Sequence, residues 1–373
     1  MKGKVCFMTC AGRKEQLVVQ RRQAKSLANE GYDVSFIVAD NDPAEDIDGI
    51  HYYPAGSVKG NYYKRFFQLS STVGRLASKI DADIYQTETP DLLSVCTKLK
   101  KSGKKVFFNM LEGHPYTLYN KLKFPTFIKK IIVESMAKRM GRQLRQLDFV
   151  FGVSDDIIEY LDAWGVKRKM LLGNYPEVDK EFSLTLEEYL SREPRVIYYG
   201  HIPNTSRQEV VFKALSNLPQ LKYLLAGKFW NTEYLNKLKQ EDYWDKVEFI
   251  DGFERQELPS ILSRCTISNV ARDLSSSKSS NGSMGILKIF ESMEAALPLL
   301  LPDLPVYRDM VDKYHCGVLV DINDTASVEG GLRYLAENRE AAYQMGQNGR
   351  QAVINEYSWD NLSKSYIKIV TKS

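Results

Sequence analysis

Eleven short apolar runs punctuate the chain: KVCFMT (4–9), YDVSFIVAD (32–40), ADIYQT (82–87), KKVFFNM (104–110), FVFGVS (149–154), RVIYYG (195–200), LKYLLAG (221–227), VEFIDG (247–252), TISNV (266–270), PLLLPD (298–303) and CGVLVD (316–321). Many carry β-branched or aromatic residues on both faces, which is the pattern of strands buried in a parallel sheet. Helical patterns lie between them. The clearest is QLVVQRRQAKSLANEG (16–31), closed by Gly31 in a C-cap position. Strand, helix, strand repetition predicts an α/β fold with parallel sheets.

The pattern restarts near residue 195. Before it, GNYPEVDKEFSLTLEEYLSREP (173–194) has few long apolar runs and two prolines, and reads as a linker. The expected organisation is two doubly wound domains facing a cleft: residues 1–176, a linker at 177–194, residues 195–356, and a closing helix at 357–373 that crosses back to the first domain. Doubly wound sheets bind ligands beyond the carboxyl ends of their strands, so a ligand is expected in the cleft.

Composition changes this picture little. At 373 residues the chain suits two domains, with the 43% hydrophobic and 26% charged residues of an ordinary globular protein. A net charge of +4 gives weak support to nucleic acid as a partner of the whole chain. Cys6, Cys10, Cys96, Cys265 and Cys316 are scattered, odd in number and without a C-x-x-C pair, so reduced buried thiols in a cytoplasm are expected rather than disulfides or zinc. The N-terminus MKGKVCFMTCAG does not read as a signal peptide, and no run of 18 apolar residues occurs. The acidic triplets DID (46–48), in an acidic loop, and DAD (81–83), just before a strand run, carry little weight as metal sites.

The chemistry concentrates in SNGSMGILKIFESMEAALPLLLPD (280–303). Ile286, Ile289, Phe290 and Met293 form a core-facing helical stripe. Lys288 and Glu291 are three residues apart and share another face. Ser283, Met284 and Gly285 precede the helix, whose first turn offers free N–H groups and the positive dipole end. A phosphate suits that position, Lys288 adds a point charge, and Glu291 one turn deeper can accept hydrogen bonds from two sugar hydroxyls. The bland alternative is a solvated Lys–Glu surface pair worth a few tenths of a kcal/mol.

The stretch MGILKIFESMEAALPLLLPDLPVYRDMV resembles the donor segment of GT-B glycosyltransferases of family 4, of the form K-x-F-E-Y-M-A-A-G-x-P-V-I. Lys288, Phe290, Glu291, Met293, Ala295 and Pro298 match, and Leu297 is read as standing where glycine is usual. The segments from Cys316 to Tyr366 and from Asp83 to Pro115 are also similar to this family. The resemblance implies retaining transfer of a sugar from a nucleotide sugar, UDP-linked by expectation. The donor would sit on the C-terminal domain and the acceptor on the N-terminal one, with no metal. It implies that Glu291 holds the ribose, that Lys288 lies by the diphosphate, and that Gly285 with Met284 lets the backbone approach the donor. Ser283 stands in place of the first glutamate of the family's E-x7-E pattern.

The stretch YYGHIPNTSRQEVVFKAL (198–215) resembles the family's glycine-rich loop, which makes Arg207 the candidate cation for the diphosphate and places His201 in the same loop. Phe253 is expected near the base. Gly12 follows the first strand, with Arg13 and Lys14 behind it. FNMLEGHP (108–115) is similar to the family's Y-D-x-H-E-x-x-P, with Leu111 replacing the histidine, and QTETPDLL (86–93) to H-x-H-D-P-x-L-L, with Gln86 and Glu88 replacing both histidines. Glu88, Glu112 and His114 are the acceptor-side candidates, each with a structural alternative. The expected mechanism is front-face displacement, in which the leaving phosphate takes the acceptor's proton.

Residues 119–149 carry eight cations and two acids, with Phe124, Phe127, Ile128, Ile131 and Ile132 interleaved. Such a stretch favours an anionic lipid surface, and a lipid-linked acceptor would explain it. A core-packed helix with a solvated basic face is the alternative. The expectation is a hexosyl- or N-acetylhexosaminyltransferase of bacterial surface polysaccharide or glycoconjugate synthesis, cytoplasmic or peripheral at the inner face of the plasma membrane. Two other readings stay open: a nucleotide-sugar epimerase or hydrolase of the same fold, and a non-catalytic partner subunit of another transferase.

Overall fold

The structure is a computed structural model that describes residues 2–12, 17–58, 64–116, 119, 122, 124–274 and 285–372. Ser283, Met284, Arg13 and Lys14 lie outside the described residues. The chain divides into two compact units, Met1–Asn174 with Leu362–Ser373, and Tyr175–Asn361. Each is α/β and built on a parallel sheet.

The first unit holds β1 (Lys4–Met8), β2 (Asp33–Val38), β3 (Glu45–Ile47), β4 (Ile50–Pro54), β5 (Ile84–Thr87), β6 (Lys105–Met110), β7 (Phe149–Gly152) and β8 (Lys169–Leu171). Their order is β3-β4-β2-β1-β5-β6-β7-β8, and only β3 runs antiparallel, against β4. The second unit holds β9 (Arg195–Ile202), β10 (Lys222–Phe229), β11 (Val247–Asp251), β12 (Ile267–Asn269), β13 (Leu299–Pro302) and β14 (Gly317–Val320), all parallel, in the order β11-β10-β9-β12-β13-β14. That is the doubly wound order, and the strand order reverses between β9 and β12. In the first unit the reversal falls between β1 and β5. In sheets of this order the loops leaving the strands diverge at the reversal, and ligands bind beyond the carboxyl ends there.

All eleven apolar runs contain a strand. β3, β4 and β8 were not anticipated. The first and last have three residues each, too few for a periodic signal, and β4 closes an edge hairpin with β3. The helix expected over 16–31 spans Val18–Asn29, and Gly31 follows with φ 85° and its N–H on the Ala28 carbonyl at 2.9 Å. Residues 177–194, expected as the linker, lie in the second unit and contain the helix Leu186–Ser191. A capping box starts that helix: Thr185 Oγ1 accepts from the Glu188 N–H at 3.2 Å, and the Glu188 carboxylate accepts from the Thr185 N–H at 2.7 Å. The helix Trp359–Lys372 ends the chain, and its Tyr366 hydroxyl donates to Gln86 Oε1 at 2.9 Å within the first unit.

Burial explains the strand sequences. Tyr198, Tyr223 and Leu225 enter the core on one face of the second sheet, and Ile197, Tyr199 and Leu224 on the other. At the carboxyl ends β9 and β10 approach so closely that a Cβ on Gly227 would lie 1.8 Å from the Gly200 carbonyl oxygen, so only glycine fits.

Candidate active site

The helix Leu287–Glu294 is fixed from below. Ile289, Phe290 and Met293 are buried, and the Phe290 ring meets Tyr175 edge-on at 4.9 Å and Tyr357 at 5.0 Å. Burying three such side chains is worth roughly 1.5–3 kcal/mol each. At the far end Ala296 takes a left-handed backbone, φ 54°, and its carbonyl lies where a Cβ on Gly346 would clash, at 2.0 Å. The position that favours glycine is therefore Ala296 and not Leu297, which has a buried core side chain. At the near end no side chain among the described residues caps the first turn, and Gly285 enters it through Ile286.

This helix presents Lys288 and Glu291 to β9. Lys288 is half-buried, with its Nζ 3.8 Å from the centroid of the Tyr198 ring and 5.5 Å from that of Tyr199. A cation over an aromatic face is held by the ring quadrupole. Burial, and then the neighbouring Arg272 guanidinium, outweigh the Glu291 carboxylate and push the Lys288 ammonium down to about 7. Glu291 is buried. One carboxylate oxygen pairs with Arg255, and the other lies 3.3 Å from the Tyr199 hydroxyl. That hydroxyl also lies 2.9 Å from the Lys288 carbonyl and 3.2 Å from Ser292 Oγ, itself 2.7 Å from Ser268 Oγ. Burial and the Glu291 charge hold the Tyr199 phenol well above its ordinary value, so it stays a donor. Lys288, Glu291, Arg255, Arg272, Tyr198 and Tyr199 thus converge on one polar cluster. Arg255 and Arg272 carried no sequence signal, because each comes from a separate loop.

The other expected residues of this unit fall around the same strand ends. Arg207 caps the helix Gln208–Ser216 with a left-handed backbone, φ 48°, and its Nη1 lies 3.4 Å from Glu209 Oε1. His201 lies within β9, which runs on to Ile202, so it is a strand residue and not a loop residue. Its exposed ring stands 5.8 Å from Trp230. Phe253 is half-buried against the cluster containing Ile197, Tyr199 and Leu224.

In the first unit Gly12 follows β1 with φ 86°. Glu88 sits where the strand order reverses, just after β5. Its Oε1 is buried with no hydrogen-bond partner among the described residues, and burial raises its carboxyl to about 7 against bonds from Thr9 and Gln20. Gln86 belongs instead to a buried network: its Nε2 donates to Gln23 Oε1 at 2.6 Å and it accepts from Tyr366. Glu112 and His114 follow β6, and His114 Nε2 lies 3.8 Å from Glu112 Oε2.

No curated protein matches the chain. Solved structures do. Sucrose-phosphate synthase from Thermosynechococcus elongatus is 15% identical, with 99% of this chain and 100% of that chain covered at a TM-score of 0.75. HepE from Anabaena in complex with UDP and glucose is 13% identical, with 100% of both chains covered and a TM-score of 0.72. WaaG, a glycosyltransferase involved in lipopolysaccharide biosynthesis, is 13% identical, with 99% and 100% covered and a TM-score of 0.71. These likenesses identify the fold as that of GT-B glycosyltransferases. The segment that carries the Lys288–Glu291 cluster, residues 187–352, matches the model of the family Glycosyl transferases group 1.

Proposed function

We propose that this chain is a retaining glycosyltransferase of family 4 that moves a hexosyl or N-acetylhexosaminyl group from a UDP-sugar to a glycan or lipid-linked acceptor of a bacterial surface polysaccharide or glycoconjugate. One observation carries the reading: a helix N-terminus with no side-chain cap among the described residues, Lys288 in its first turn and a buried carboxylate at Glu291 stand together at the carboxyl end of β9. The helix start and Lys288 suit a diphosphate, and Glu291 a ribose diol. The family match over 187–352 and the UDP and glucose in the HepE structure support the donor class, and the role of WaaG supports the pathway.

In the proposed reaction the bond from the anomeric carbon to the donor phosphate breaks, and a bond to the acceptor oxygen forms on the same face. The acceptor's proton passes to the departing phosphate oxygen, so no enzyme base is required. Lys288 and the helix N–H groups stabilise the charge that grows on the diphosphate, the electrostatic contribution that is often the largest. Glu88, Glu112 and His114 are the proposed acceptor-side groups, with Gly12 giving backbone access.

Peripheral membrane contact belongs to the same reading. The helix Thr126–Leu144 buries Val133, Ala137, Met140 and Leu144. Phe127 and Ile131 stay 66% and 64% exposed beside Phe124, among Lys130, Lys138, Arg139 and Arg142. Exposed apolar side chains on a helix that also carries exposed cations fit an anionic lipid surface. Lys121 and Lys123 lie outside the described residues. Among the described residues no helix is long and apolar enough to cross a membrane.

The test is a thermal-shift screen with UDP, GDP, CMP and their sugar conjugates. A ligand of the native state raises the melting temperature by mass action. UDP compounds are expected to raise it, and Glu291→Ala to remove the effect. No shift with any nucleotide would overturn the donor reading.

A further inference from the structure

Arg207 was the expected second cation for the diphosphate. The structure turns its Nη1 toward Glu209, at 3.4 Å. Arg207 Nε is nonetheless buried with no hydrogen-bond partner among the described residues, and a second cation, Arg272, shares that feature and acts on Lys288. Arg272 leaves the carboxyl end of β12, the strand next to β9 across the point where the sheet order reverses. Its loop is tied to the loop after β9: the Asp273 N–H donates to the Thr205 carbonyl at 2.7 Å, and Arg272 Nη2 reaches Thr205 Oγ1 at 3.5 Å. Arg272 Nε is buried and has no hydrogen-bond partner among the described residues. A guanidinium offers five donors in a planar fork, and leaving one of them buried and unmet costs free energy.

The electrostatics agree with this placement. The Arg272 charge acts on both Lys288 and the Tyr198 phenol, the ring over which Lys288 Nζ stands at 3.8 Å. Glu291, the carboxylate that acts on Lys288, is already paired with Arg255. Two cations brought together while the nearby carboxylate serves a third leave an excess of positive charge. An anion with several oxygens relieves that excess and meets the unmatched N–H.

We propose that Arg272, with Lys288, is the main pair of cations for the diphosphate of the donor, ahead of Arg207. This rests on the nucleotide-sugar reading above. It adds a binding residue on the β12 loop, where the family resemblance assigned none.

The experiment is isothermal titration of the full chain with UDP, uridine and inorganic pyrophosphate, for wild type, Arg272→Met, Arg272→Lys and Arg207→Met. Arg272→Met is expected to weaken UDP and pyrophosphate roughly 10- to 100-fold, the worth of a charge-assisted hydrogen bond, and to leave uridine unchanged. Arg272→Lys should recover part of the loss, because it keeps the charge without the fork. Arg207→Met should lose less than Arg272→Met, because its guanidinium already faces the Glu209 carboxylate. UDP binding unchanged in Arg272→Met, or a larger loss in Arg207→Met, would overturn the assignment while leaving the donor reading intact. If wild type binds pyrophosphate through Arg272 but neither UDP nor uridine, the anion site stands and the uridine reading fails. If it binds none of the three, both fail.

Discussion

Lys288 should take up a proton when a nucleoside diphosphate binds. Burial and Arg272 disfavour its charge and push its ammonium down to about 7. At pH 8 roughly one site in ten is protonated. A diphosphate against Nζ reverses the balance and returns the group toward the ordinary lysine value of about 10.4. Binding at pH 8 should therefore absorb about 0.9 proton per site, and at pH 6 only about 0.1. Affinity should rise up to about tenfold, or about 1.4 kcal/mol, for each pH unit lowered above 7. Titration calorimetry with UDP at pH 8, in buffers of different ionisation enthalpy, reads the uptake directly. Lys288→Arg should keep binding and lose the uptake, since guanidinium is always charged, whereas Lys288→Met should lose both. Uptake of the same size in Lys288→Met, or none in wild type, would refute the reasoning. The folded value is depressed, so the unfolded chain binds more protons between about 7 and 10.4, and stability should rise with pH through that window.

Two further outcomes are expected. Glu88 has a raised carboxyl, so its contribution to stability is full below the ordinary carboxylate range and is lost as pH rises through about 7. Glu88→Gln should accordingly raise the melting temperature at pH 8 and barely change it at pH 5; equal effects at both would argue against a buried charge. Phe127→Asp with Ile131→Asp should abolish sedimentation with phosphatidylglycerol vesicles while leaving the melting temperature unchanged, and vesicle binding that survives would remove the membrane proposal.

Local signals in the chain mapped well onto elements with periodic burial. The strand runs were visible because strands covered on both faces need unbroken apolar stretches. The core stripe Ile289, Phe290 and Met293 was visible through helical spacing, and Lys288 and Glu291 through their place beside it. The helix Leu186–Ser191 was overlooked, although its capping-box residues Thr185 and Glu188 are legible in the chain. The short strands β3, β4 and β8 owe their existence to pairing with a neighbour, which no local window records. Gln86 stands at a histidine position of the family motif, and its hydrogen bonds to Gln23 and Tyr366 place it in the core, a fact no local window records because its partners come from distant helices.

What the sequence alone determined is the α/β class, most of the strands and the helix that carries Lys288 and Glu291. These follow from patterns that repeat within a dozen residues. What only the tertiary structure decided is the company those two side chains keep. Tyr198 and Tyr199 arrive from β9, Arg255 from the turn after β11, and Arg272 from the loop after β12. Strand order in a doubly wound sheet brings those carboxyl ends together, and sequence distance gives no measure of that. The depressed Lys288, the paired Glu291 and the unmatched Arg272 Nε are properties of the assembled cluster, because burial and mutual charge set them.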